Sequence, residues 1–135
     1  MATTTENIMD ALEALTITGT PTVTRRFQVI DDDFEDFPNF PLVVVATGDE
    51  ECEPLANLQT ESNFHPTVHF FGEGISAAAM ETWRKSIRTS IIQDTTLRGL
   101  SINVHIEKIK VYLAKNKKLQ RLIFSLGIIF DIDHD

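Results

Sequence analysis

Every second residue from Leu122 to Ile132 is large and apolar: Leu122, Phe124, Leu126, Ile128, Phe130 and Ile132. Alternation sustained over that length predicts an extended strand with one buried face, because successive side chains of a strand point to opposite sides. The intervening residues include Ile123 and Ile129 besides Arg121, Ser125 and Gly127, so the second face is mixed rather than polar. Such a face predicts burial against a second subunit, since a long unprotected apolar strand invites aggregation.

The preceding segment supplies a partner strand. Leu100, Ile102, Val104 and Ile106 share one parity, whereas Ile109, Val111 and Leu113 take the other. A parity flip with continuing β-propensity predicts a bulge near Glu107 and Lys108, because one inserted residue reverses which side chains face the core. Residues 114–118 form a polar connection, and together the two runs predict a long C-terminal β-hairpin. Upstream, Met80, Trp83, Ile87 and Ile91 fall at i, i+3, i+7 and i+11, the stripe of an amphipathic helix with Ser76 as its N-cap. That helix is expected to run out at Asp94, with Gly99 relieving the turn into the strand.

Toward the N-terminus, Thr3 and Glu6 have the spacing of a capping box, and Ile8, Leu12 and Leu15 recur at helical intervals until Gly19 and Pro21. Val23, Arg25, Phe27 and Val29 then alternate with polar residues as in a half-buried strand. An acidic, aromatic connection punctuated by Pro38 and Pro41 leads into the β-branched run 42–46, a short central strand. Residues 47–66 lack a clear period and read as a loop, and residues 67–71 as a third strand closed by Gly72 and Gly74. The expected order is helix, three strands, helix, two strands. It predicts one α+β domain over residues 1–135: a mainly antiparallel twisted sheet, with hairpins rather than βαβ repetition, two helices packed on one face and the long C-terminal hairpin.

Charge narrows the partners. The formal charge of −8 disfavours general nucleic-acid or anionic-membrane binding and argues for a protein partner. Residues 1–53 carry 12 acidic and 2 basic side chains, while residues 108–135 carry 6 basic and 3 acidic. Asp31, Asp32, Asp33, Glu35 and Asp36 crowd one connection, and Lys108, Lys110, Lys115, Lys117, Lys118 and Arg121 gather on the C-terminal hairpin. These eleven are the candidate interface residues; the simpler reading of both runs is as solvated loops. No apolar run approaches the roughly 18 residues of a membrane span, and the N-terminal stretch has no basic region followed by an apolar one, so neither a span nor an export signal is expected. The single Cys52 has no internal disulfide partner and suits a reducing cytoplasm.

Combinations of residues that carry chemistry are missing. His65 and His69, four apart, would share a metal only on a helix; on a strand they sit roughly 13 Å apart. The terminal residues 131–135 lack the glycine and distal glutamate of a calcium loop. Asp31, Asp32 and Asp33 share one open environment, whereas acid catalysis needs carboxylates in unlike ones. Gly72 and Gly74 lack the third glycine of a nucleotide cradle. The expectation is therefore a non-enzyme without catalytic residues, metal or cofactor.

Several stretches together carry a family resemblance: the N-terminal helix, Val-Thr-Arg-Arg at 23–26, Pro-Leu-Val-Val-Val-Ala-Thr-Gly-Asp-Glu at 41–50, the helix leading into Asp-Thr-Thr-Leu-Arg-Gly-Leu at 94–100, and a β-rich end. In this order the chain resembles the tail terminator proteins of long-tailed bacteriophages, the family of the lambda minor tail protein U. Two features depart from the family's pattern, Phe130 in place of a common Tyr and a strongly acidic loop before the second strand. The resemblance implies a virion tail protein, assembled in the host cytoplasm, whose subunits form a ring homo-oligomer, a hexamer. That ring would cap the tail tube protein, end its polymerisation and receive a head-completion or neck protein, with DNA only in transit through its lumen and no membrane contact. The alternatives are a neck or tail-completion protein of similar architecture, and a small soluble enzyme or ligand-binding domain. In a ring, the acidic loop would face either the basic hairpin of the next subunit or the lumen, where it would keep passing DNA from sticking.

Overall fold

The computed structural model describes residues 5–15, 17, 19, 21–27, 41–55, 59–92, 103–113 and 119–133. Its elements follow the expected order: α1 (Thr5–Glu13), β1 (Thr22–Arg26), β2 (Leu42–Pro54), β3 (Gln59–Glu73), α2 (Ala77–Ile92), β4 (Asn103–Leu113) and β5 (Leu119–Asp133). The fold is α+β, a five-stranded mixed sheet with two helices. Expectations placed on Thr3, on residues 31–36, on Asp94, Gly99, Leu100 and Ile102, and on the connection 114–118 lie outside the described residues.

The strand order is β1-β2-β3-β5-β4. β2 with β3, β3 with β5, and β4 with β5 are antiparallel, but β1 runs parallel to β2 from Thr22↔Leu42 to Arg26↔Ala46. The expected sheet is mainly antiparallel, with hairpins rather than βαβ repetition; the observed sheet is mixed, the β1–β2 pair being parallel. A parallel pair needs a crossover of a dozen or more residues, and the long connection after β1 is sufficient for one.

A second correction concerns residues 47–66. Residues 47–54 and 59–66 are strand, and β2 and β3 pair from Leu42↔Phe71 to Pro54↔Thr60. The period in β3 is present but disguised. Positions 62, 64, 66, 68 and 70 are all buried, yet two of them are Ser62 and Pro66 rather than large apolar residues. The acidic residues of β2 have low strand propensity, and the ladder to β3 overrides it. Pro66 donates no ladder bond, and the β2–β3 register shifts between Ala46 and Asp49, directly opposite it. Gly48 sits in that irregularity because a Cβ there would lie 1.8 Å from the carbonyl oxygen of His65.

The core lies between both helices and one sheet face. Ile8, Met9 and Leu12 of α1 and Ile87 and Ile91 of α2 join Val43, Val45, Phe64, Val68, Phe70, Val104 and the alternate residues of β5 from Leu122 to Phe130 in one cluster. Trp83 stacks on Phe70 with ring centroids 4.9 Å apart. Ser76 accepts a hydrogen bond on Oγ from the Ala79 amide, 3.2 Å, as expected of the N-cap. The bulge expected near Glu107 is present: the register shifts between Ile106↔Leu126 and Lys108↔Ser125, leaving Glu107 as the extra residue.

Candidate interaction surface

Strand parity sorts the polar residues onto two faces. The face away from the core cluster carries Thr67, His69 and Phe71 of β3, Arg121 and Ile123 of β5, and Lys108, Lys110 and Tyr112 of β4, as the paired registers require. On β2, the shift after Ala46 brings Asp49, Glu51 and Glu53 to this face as partners of His65, Asn63 and Glu61. Glu50 and Cys52 point to the helix side with their partners Phe64 and Ser62.

Two clusters occupy the middle of that second face. Arg121, only 4% exposed, donates to Nδ1 of His69 from Nε at 3.2 Å and from Nη2 at 2.9 Å. Its guanidinium carbon lies 5.3 Å from the Phe71 ring centroid and 5.9 Å from that of Tyr112. Further along, His65 Nδ1 meets Glu107 Oε1 at 2.6 Å. The His105 ring leans over Gly127, where a Cβ would meet it at 2.5 Å and Glu107 Oε1 at 3.0 Å. No hydroxyl or thiol is hydrogen-bonded to His65 or Glu107 among the described residues. Nor does any group of three or more His, Cys, Asp or Glu side chains among them suit a metal ion. His65 and His69 both lie on β3, as members of these separate clusters.

The exposed chemistry lies at the sheet's margins. Among the described residues, β1 pairs with β2 as far as Ala46, and residues 48–55 beyond it are exposed. This arm holds Asp49, Glu50, Glu51 and Glu53, with Glu50 Oε1 accepting from the buried Ser62 hydroxyl at 2.6 Å. At the opposite margin, among the described strands, β4 pairs only with β5. Beside it a cleft of about 450 Å³ is lined by Arg84, Arg88 and Ile92 of α2 and by residues 104–109. Arg84 Nε is buried there without a hydrogen-bond partner among the described residues. Nearer the end of β4, Met80, Val111, Tyr112 and Leu122 line a smaller apolar hollow of about 280 Å³.

The candidate residues read from sequence are only partly brought together. Lys108 and Lys110 are exposed on β4, whereas Arg121 is drawn into the buried cluster with His69 and does not join them. Asp31, Asp32, Asp33, Glu35, Asp36, Lys115, Lys117 and Lys118 lie outside the described residues. Arg84 and Arg88 were missed as companions of Lys108. Their i, i+4 spacing beside the apolar stripe of α2 is the signal that marks that flank. No protein-family model matches the chain, and no curated protein matches its sequence.

Proposed function

We propose that the chain is a structural subunit of a long-tailed phage that forms a ring on the end of the tail tube, stops its polymerisation and offers a surface for head joining. The observation that carries this reading is the form of the sheet: strands of 13 and 15 residues carry an exposed acidic arm at one margin, while the other margin has no described strand neighbour beyond β4 and is basic. At roughly 3.3 Å per residue, a 15-residue strand reaches some 50 Å, more than a domain of this size needs to enclose its core. Surfaces of that kind serve assembly. Identical subunits joined by unlike surfaces close into a ring when their rotation permits. The tail-terminator resemblance supplies the setting, with tail tube protein on one side and a head-completion or neck protein on the other. No catalytic step is part of this function. The test is to incubate the purified protein with cognate tail tubes and image the ends. Labelled rings at tube ends, with tube growth arrested, are expected; rings absent from the ends, or tubes that keep growing, overturn the reading.

A further inference from the structure

Resting on the ring reading, we infer that the ring contact is an intermolecular β-sheet, in which the free stretch of β2 in one copy pairs with the outer edge of β4 in the next. Both edges belong to the same sheet and lie at opposite margins of it. Residues 47–54 of β2 have a described strand neighbour on one side only, and so does β4 along its whole length. β2 and β4 run in opposite directions across the sheet. A head-to-tail copy that continues the sheet therefore presents the two as an antiparallel pair.

Charge selects this pairing over the others. β2 against β2 would set Asp49, Glu50, Glu51 and Glu53 against themselves, and β4 against β4 would do the same with Lys108 and Lys110. Lysine on an edge strand is a guard against like edges, and an acidic edge is the partner it admits. The faces agree as well. In a continuous sheet each side chain keeps its face, so Asp49, Glu51 and Glu53 come beside Lys108 and Lys110 on the second face. Glu50 emerges on the helix side, where Arg84 and Arg88 line the cleft and the buried Arg84 Nε has no hydrogen-bond partner among the described residues.

Apolar contact supplies an anchor at one end of the same seam. Phe27 is 84% exposed and sits beside Thr47, where β1 stops and the free edge of β2 begins. It continues the parity of Val23, whose partner Val43 faces the core, so it follows the helix-side row of β1. The hollow formed by Met80, Val111, Tyr112 and Leu122 borders the β4 edge, and Val111 there is 62% exposed. Phe27 of one copy fills that hollow in the next, while the charges set orientation and exclude wrong pairings.

Sedimentation velocity across a concentration and salt series tests the pairing, with circular dichroism as the check that each variant is folded. Lys108→Glu with Lys110→Glu is expected to raise the concentration for half-assembly at least tenfold. Adding Asp49→Lys and Glu51→Lys to that same chain restores assembly, because the signs are exchanged across the seam. Phe27→Ser, at an exposed site, weakens assembly at least tenfold without altering the subunit's fold. Rings that form and cap tubes yet ignore these changes overturn the edge pairing and leave the ring reading standing. A wild-type protein that neither self-associates nor binds tube ends removes both.

Discussion

Arg121 donates two hydrogen bonds to a single atom, Nδ1 of His69, across the β3–β5 ladder. A guanidinium has no acceptor, so Nδ1 must present its lone pair, and the proton of the neutral ring belongs on Nε2. From there it donates to Thr67 Oγ1 at 2.8 Å. One arginine thereby sets the tautomer of a buried histidine while packing its own flat face near Phe71 and Tyr112.

Arg121→Lys should lower stability by about 1–3 kcal/mol, because an ammonium reproduces neither the planar packing nor the two-nitrogen contact. Urea denaturation at neutral pH measures it. Nitrogen chemical shifts of His69 in the wild type should report the Nε2–H form; an Nδ1–H ring would sink this account of the cluster.

Gly48 and Gly127 should respond differently to alanine, although both are crowded. At Gly48 the obstacle is the backbone carbonyl of His65, which cannot move without disturbing the β2–β3 ladder, so a loss of at least about 2 kcal/mol is expected. At Gly127 the obstacles are the ends of the exposed His105 and Glu107 side chains, which can swing away. Less than about 1 kcal/mol is expected there, since the His65–Glu107 pair it disturbs is itself exposed. Paired denaturation midpoints decide; equal losses would contradict the distinction.

Phe70→Ala should cost about 3–5 kcal/mol, the usual range for emptying a fully buried aromatic site. Trp83, the only tryptophan, stacks on that ring and reports the same event. Its emission should shift to the red in the folded variant and lose its dependence on the α2–β3 contact. An unchanged spectrum would mean that the stack contributes little to the indole's surroundings.

Cys52 is exposed on the free stretch of β2, its Sγ 3.7 Å from both Glu50 Oε1 and Ser62 Oγ. A maleimide should label it readily in the isolated subunit without unfolding the chain. If β2 forms the seam of the ring, labelling should slow at least tenfold once rings assemble, and a bulky prior label should block assembly. Labelling at the same rate in both states would place β2 outside the contact.

Periodicity alone determined much of the fold. The alternation in β5, the apolar stripe of α2 and the parity flip at Glu107 are local records of which side chains turn inward, so the strand, the helix and the bulge were legible before any contact was known. The sequence also showed the separation of acidic and basic charge along the chain. The tertiary structure decided what local pattern cannot carry. The parallel pairing of β1 with β2 is a relation between separate segments, and the strand character of residues 49–54 depends on a ladder to β3 that outweighs their own weak propensity. Among the six basic residues of the C-terminal segment, sequence could not separate Arg121 from Lys108 and Lys110 in burial, because that difference comes from His69, Phe71 and Tyr112 on neighbouring strands. The nearness of Arg84 and Arg88 to the edge of β4 likewise arises only when α2 lies down on the sheet, since packing, not sequence distance, sets which charges meet.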